Sequence, residues 1–503
     1  MALTENPVLA TLRIPFENSY ARLPEKFYAR VEPAPVARPQ IIKLNKALAE
    51  MLGLDSAALE TQEGAEVLAG NRVAEGSEPL AMAYAGHQFG YFVPRLGDGR
   101  AKLLGEVVGR DDVRYDLQLK GSGRTPFSRN GDGRATLSAV LREYIVSEGM
   151  AALGVPTTRA LAAVATGQPV IRETVQPGAV LTRVARSHLR VGTFQYFYAQ
   201  GDVEGVRTLA EYAIARHYPE VASRSKRFRA LLDGVISRQA ALVARWMSLG
   251  FVHGVMNTDN TSISGETIDY GPCAFIEAYD PRMVFSSIDH QGRYAYSNQP
   301  AAMHWNLTRF AETLLPLLIE EEGSDEAGLA SANEALEEFE GHFEAARNEI
   351  MRKKIGLISE AEDVALYEDL LARMAQNRAD FTLTFRRLCD AAAGTDSDHG
   401  VRSLFADPSS FDAWAINWRQ RLAKESILPE DRASRMRQVN PIFIPRNHIV
   451  EAALKAATER QDFKPFEELV EVLSHPYEDK PGLERYATPA RAEELVIETF
   501  CNT

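Results

Sequence analysis

The sequence is poor in cysteine, with three in 503 residues. Cys273, Cys389 and Cys501 form no Cys-x-x-Cys pair, which excludes a disulfide-stapled secreted scaffold and a cysteine metal clip. No apolar run approaches the roughly 18 residues that a membrane span needs. The opening segment lacks a basic stretch followed by an apolar one, and lacks the Arg-rich, acid-poor character of a transit peptide. Cytoplasmic residence is the expectation. Positive charge is also in deficit, 56 Lys and Arg against 69 Asp and Glu, a net charge of −13. A chain this acidic is a poor partner for nucleic acid or an anionic membrane. What remains, at 45% hydrophobic and 25% charged residues, is ordinary globular composition.

Along the chain the texture changes twice. The first 45 residues include a Pro-rich extended stretch, and a short helix with Leu44, Leu48 and Leu52 on one side ends at Gly53. From about Ala81 to Val191, β-rich runs (102–108, 115–120, 180–184) alternate with clusters of Gly, Asp and Arg. One helix interrupts them, with Leu137, Val140, Leu141, Tyr144 and Ile145 at helical spacing. From about Thr208 onward the helical period dominates, and Leu336, Phe339, Phe343, Ala346 and Ile350 form a core stripe. Cys389 reads as a core thiol. The expected fold class is α+β, with a mixed N-terminal part, a mainly helical C-terminal part and a polar loop region between them.

Four segments carry residue types suited to nucleotide chemistry. Leu96-Gly-Asp-Gly-Arg100 is a Gly-rich turn with a charged fork, and Gly131-Asp-Gly-Arg134 repeats the tetrapeptide. Alone, the first is a plain hairpin turn; the repetition is hard to attribute to turn chemistry only and argues for backbone approach to phosphate. Lys120 ends an alternating strand and Glu143 lies on the next helix, the pairing with which kinase-like folds aim an ammonium at phosphates; two surface charges are the plainer alternative. Arg183, Arg186 and Arg190 concentrate positive charge in an acidic protein, as an anion site or a solvated basic face would. Finally, His253-Gly-Val-Met-Asn-Thr-Asp-Asn260 followed by Asp269-Tyr-Gly271 follows the order of a kinase catalytic loop and D-F-G. Asn260 and Asp269 fall at the metal-binding positions. Val255 stands where the proton-accepting Asp belongs, and Asp259 is the nearest carboxylate.

With these strings in view, and with Gly86-His-Gln-Phe-Gly90, Ser187-His-Leu-Arg190, Trp305-Asn-Leu307 and Ile444-Pro-Arg-Asn-His448 beside them, the chain resembles the selenoprotein O family of pseudokinase-like protein adenylyltransferases over nearly its full length. The resemblance implies a protein-kinase-like two-lobed fold: an N-terminal extension (1–80), an N-lobe (81–195), a C-lobe (196–310) and a helical C-terminal extension with a redox tail (311–503). It implies ATP bound in flipped orientation, AMP transferred to Ser, Thr or Tyr hydroxyls of other proteins or of the enzyme itself, and pyrophosphate released. UMP transfer with Mn²⁺ is implied as a side activity. By motif, Lys120 and Glu143 form the ion pair. Gly97, Gly99, Arg100, Lys120, Asp132, Gly133, Arg183, Arg190 and Asp269 contact ATP. Asn260 and Asp269 bind Mg²⁺ or Mn²⁺, and Asp259 is the general base. The family also implies a disulfide between Cys273 and Cys501, where two reduced thiols are the cytosolic default.

Two other readings compete. An inactive nucleotide-binding scaffold regulated by redox state accounts for Val255 but not for intact metal ligands. A small-molecule phosphotransferase of the aminoglycoside-kinase type shares the His-Gly opening but requires Asp where Val255 stands.

Overall fold

Alternation in Tyr115-Asp-Leu-Gln-Leu-Lys120 sends Leu117 and Leu119 to one face of a strand and Asp116, Gln118 and Lys120 to the other. In the computed structural model, which describes residues 9–358, 363–496 and 498–499, that strand lies centrally in a sheet of eight strands among the described residues. We number these β1 (Tyr28–Arg30), β2 (Gln40–Leu44), β3 (Leu80–Met82), β4 (Ala101–Val108), β5 (Arg114–Lys120), β6 (Ala135–Thr136), β7 (Arg159–Ile171) and β8 (Val175–Ala185). Their order is β1-β3-β4-β5-β8-β7-β2, with β6 beside β8, and the pairings are antiparallel. The two strands from before residue 80 close the two edges of this path, so the backbone groups at both edges of the central strands are paired.

Each face of the sheet is covered. Leu117 and Val107 pack with Leu48, Leu52 and Leu68 from the segment of short helices between β2 and β3. On the other face lies α1 (Leu137–Ala152), N-capped by Thr136, whose hydroxyl accepts from Ala139 N. Its Leu141, Tyr144 and Ile145 meet Leu181 and Ala163 of the sheet and, behind them, helices Asn447–Arg460 and Lys464–Leu473. Helices Asn447–Arg460 and Lys464–Leu473 thus complete the core beneath the sheet.

After β8 the chain is mainly helical: α2 (Val191–Tyr198), α3 (Val203–His217), α4 (Arg227–Ser248), α5 (Gln299–Glu322) and α6 (Asp325–Lys354), with further helices to residue 487. The stripe expected at 336–350 faces inward, with Leu336, Phe339 and Phe343 buried and Ala346 and Ile350 packed against them. Cys389 is fully buried in the same core, which pushes its thiol up to about 11. Between α4 and α5, strands β9 (Phe251–Val252) and β10 (Ala274–Phe275) pair and frame the loop from His253 to Cys273. Buried His253 ties the two limbs of that loop together, with Nε2 2.9 Å from the Ile268 carbonyl. No described helix is long and apolar enough to cross a membrane.

Candidate active site

The register of β5 and β8 builds the cationic half of the site. Arg183 stands directly opposite Gln118, and Leu181 opposite Lys120; residues facing one another across a ladder share a face. Lys120 and Arg183 therefore both project toward α1, where Glu143 waits. Lys120 Nζ lies 2.5 Å from Glu143 and 2.8 Å from Asp269. Arg183 Nη1 lies 2.6 Å from Asp269 and 3.3 Å from Glu143. Arg190, at the start of α2, adds a third cation 3.4 Å from Asp269 and stacks on the Tyr84 ring at 4.3 Å. Arg183 and Arg190 are only 2% and 1% exposed, so this positive charge sits at depth.

Asp269 occupies the left-handed region at φ 62°, a conformation Asp tolerates better than most residues. Burial alone would raise its carboxyl, but Arg183, Lys120 and Arg190 outweigh it and hold the group well below the ordinary carboxylate value. Asp259 is the opposite case. Burial pushes it up to about 6 against the pull of Arg190, and its buried Oδ1 has no hydrogen-bond partner among the described residues. A carboxyl titrating near neutrality with an uncommitted oxygen fits a proton acceptor.

Asp259 is fixed by a two-stranded hairpin, Gly86–Gln88 with Tyr91–Val93. His87 N donates to Thr258 Oγ1 at 2.7 Å, Phe89 N to Asn257 Oδ1 at 3.0 Å, and Gln88 Nε2 to Asp259 Oδ2 at 3.4 Å. A Cβ on Gly86 would come within 2.5 Å of Asp259 Oδ1, so only glycine lets the hairpin close on the loop.

All the predicted nucleotide, metal and ion-pair positions open onto one cleft of about 1170 Å³: Gly97, Gly99, Arg100, Lys120, Asp132, Gly133, Glu143, Arg183, Arg190, Asp259, Asn260 and Asp269. Their local roles differ in detail from turn-and-phosphate logic. Gly133 allows the two Gly-rich segments to pack: its φ is 69° and a Cβ would lie 2.2 Å from the Gly123 carbonyl carbon. Asp132 is paired with Arg172 at 2.9 Å, a residue from the tip of the β7–β8 hairpin that sequence reasoning missed. Gln118, Tyr84 and Asp98 were missed as well. The signal for Gln118 was present, two positions before Lys120 on the same strand face.

The oxygen donors suit a hard divalent cation. Asn260 Nδ2 donates to Val255 O at 2.9 Å, which leaves its carbonyl oxygen out of that bond, and Asn260 and Asp269 line the same cleft. No cluster of three or more His, Cys, Asp or Glu fit for a metal occurs among the described residues; the set here is one carboxylate, Asp269, and one amide, Asn260. Three successive carbonyls, from Gly271 to Cys273, are also held. Arg142 donates to Gly271 O at 3.2 Å and Cys273 O at 2.7 Å, and Thr499 Oγ1 to Pro272 O at 2.7 Å. Thr499 thus brings the C-terminal segment beside Cys273, which is buried; Cys501 lies outside the described residues.

Comparison with known proteins gives the family. The family described as protein adenylyltransferase SelO matches residues 10–474. The chain belongs to this family. A protein of Methylorubrum populi is 62% identical over 500 residues, 98% of this chain and 100% of the relative. Proteins of Rhodopseudomonas palustris and of a Bradyrhizobium species are 60% and 61% identical, again over 98% of this chain and 100% of each relative. All three are described as protein nucleotidyltransferase YdiU. By family membership this chain is an enzyme, a nucleotidyltransferase.

Proposed function

We propose that the protein transfers AMP from ATP to Ser, Thr or Tyr hydroxyls of proteins, itself included, and releases pyrophosphate. The observation that carries this reading is the depth of the cations: Lys120, Arg183 and Arg190 surround Asp269 at the floor of the cleft. Charge neutralised at depth favours a triphosphate seated tail-inward, with the α-phosphorus toward the acceptor. In the same reading the sheet with α1 and the helices after β8 are the two lobes of a kinase-like fold. Residues 81–195 and 196–310 form the lobes, 1–80 an extension supplying the edge strands, and 311–503 the helical extension.

Chemically, the acceptor O–H gives its proton to the Asp259 carboxylate as the oxygen attacks the α-phosphorus. The bond from that phosphorus to the bridging oxygen breaks, and the electron pair leaves with pyrophosphate. Arg183, Arg190 and Lys120 stabilise the charge gathering on the leaving group without having to reorganise. Asn260 and Asp269 would hold Mg²⁺ or Mn²⁺, which when bound supplies further neutralisation of phosphate charge. Val255 is no defect here, since the acceptor approaches the α-phosphorus beside Asp259. The same site would accept UTP with Mn²⁺. Cys273 and Cys501 would form a redox-controlled pair, and the location would be cytoplasmic.

Incubation with ATP labelled at the α- or the γ-phosphate tests the reading. Retention of the α-label on protein is expected. Movement of the γ-label to an acceptor, or no transfer of either label, would contradict it, the latter in favour of an inactive scaffold.

A further inference from the structure

A protein acceptor needs a surface as well as a cleft, and the outer lip of this cleft has one. Its first wall is the hairpin already shown to be bolted onto the Asp259 loop. Phe89 and Gly90 turn that hairpin with φ 51° and 88°, the two positive values that a tight two-residue turn needs. Tyr91 pairs with Gln88 across it, so its side chain leaves from the face whose Gln88 touches Asp259. Tyr91 is 80% exposed, a large aromatic left in solvent a single cross-strand pair away from the proton acceptor.

The second wall is the segment from Ser286 to Arg293. Ser286, Ser287 and Ile288 line the cleft together with Gln88, Phe89 and Asp259, and Ile288 is 63% exposed. Phe89 packs on Tyr294 at 5.1 Å, and a Cβ on Gly90 would lie 3.6 Å from the Arg293 guanidinium, so the two walls meet at the hairpin tip. The Arg293 guanidinium lies over the Trp305 ring at 4.7 Å and the Tyr294 ring at 5.7 Å. Among the described residues no Asp or Glu oxygen lies within ion-pair distance of that guanidinium; the Asp289 carboxylate takes the Arg293 backbone N–H instead, at 2.9 Å, although acidic residues outnumber basic ones in this chain. An arginine held rigid on two rings, without a counter-charge, beside exposed apolar side chains is a recognition element for an anion on a polypeptide.

We propose that this lip docks the acceptor polypeptide as an extended, acidic segment. An acceptor carboxylate meets Arg293, apolar side chains lie on Tyr91 and Ile288, and the hydroxyl is delivered to Asp259. The inference rests on the transfer reaction above and names its substrate class.

The test uses the full chain, α-labelled ATP and two synthetic peptides, each with one serine flanked by leucines and by either glutamates or lysines. The wild-type enzyme uses the glutamate peptide with a KM at least tenfold lower. Arg293→Glu reverses that preference, and Tyr91→Ala raises the KM for the glutamate peptide severalfold, while the KM for ATP and the thermal midpoint stay unchanged in both variants. Tyr91 is at the surface and Arg293 is half-buried, and either variant alone decides the matter if the other fails to fold. Equal use of the two peptides, or labelling of casein but of neither peptide, overturns this inference and leaves the transfer reading intact. A change of assembly mass in Arg293→Glu or Tyr91→Ala by light scattering, with peptide KM unaltered, assigns the lip to a second copy of the chain and also overturns it. Absence of α-label on casein, the peptides and the enzyme removes both readings together.

Discussion

Gln118 accepts two hydrogen bonds from Arg183, at 3.2 Å from Nε and 2.6 Å from Nη2. Its amide nitrogen in turn donates to Asp98 at 3.2 Å, and Asp98 also receives Met82 N at 3.0 Å. The first Gly-Asp-Gly-Arg therefore turns its carboxylate inward, where it orients Gln118 and through it the arginine. Gln118→Leu keeps the volume and removes the support. Turnover is expected to fall about 10-fold to 100-fold, the size of one or two charge-assisted hydrogen bonds. Steady-state kinetics at varied ATP, with thermal melting as the folding control, checks this.

Asp269 and Asp259 should separate cleanly. Asp269→Ala removes a proposed metal ligand and the counter-charge of three cations, and is expected to abolish transfer. Asp259→Ala retains ATP binding by calorimetry and loses turnover. Strong residual activity in Asp259→Ala would remove Asp259 as the base.

Gly86→Ala places a methyl where Asp259 Oδ1 now lies, 2.5 Å from the new carbon. Either the hairpin or the carboxylate must shift. Because a misplaced reacting group costs on the order of 100-fold, turnover should drop by about that factor while ATP affinity is preserved. The contrast between calorimetry and turnover tests this.

Glu266 offers a pH-dependent prediction outside the cleft. Burial pushes its carboxyl from 4.5 up to about 7, although Ser264 and the Arg186 amide pull the other way. The folded state thus prefers the protonated form; this contribution is complete below the unfolded value near 4.5 and is lost as pH rises through about 7. Glu266→Gln mimics the protonated acid, and both recorded donors reach Oε2, an acceptor that the amide oxygen retains. It should stabilise the protein by roughly 2–3 kcal/mol at pH 8 and leave it unchanged near pH 4.5. Urea denaturation at the two pH values measures the difference.

Much of the site was legible because its chemistry is local. Lys120 ends an alternating strand, Glu143 borders the apolar stripe of a capped helix, and Asn260 and Asp269 sit in one loop between two short strands. Glycine spacing marked the loops but not their purpose: Gly133 serves backbone packing against Gly123, and Gly86 serves closure on Asp259. Arg172 was not legible, since its pairing with Asp132 exists only once the β7–β8 hairpin folds back over the Gly-rich segment. The edge strands Tyr28–Arg30 and Gln40–Leu44 escaped for a related reason. Short strands take their partners from distant chain, and neither carries an alternation long enough to show it. The approach of Thr499 to Pro272 is likewise a contact across 227 positions, beyond the reach of any periodicity.

The orientation of the nucleotide is the claim on which the rest depends. A crystal structure with a non-hydrolysable ATP analogue and Mg²⁺ measures it directly. The account predicts the γ-phosphate on Lys120, Arg183 and Arg190, with the α-phosphorus on the Asp259 side. A γ-phosphate directed at Asp259 and the cleft mouth, with the base at the cationic floor, would contradict it.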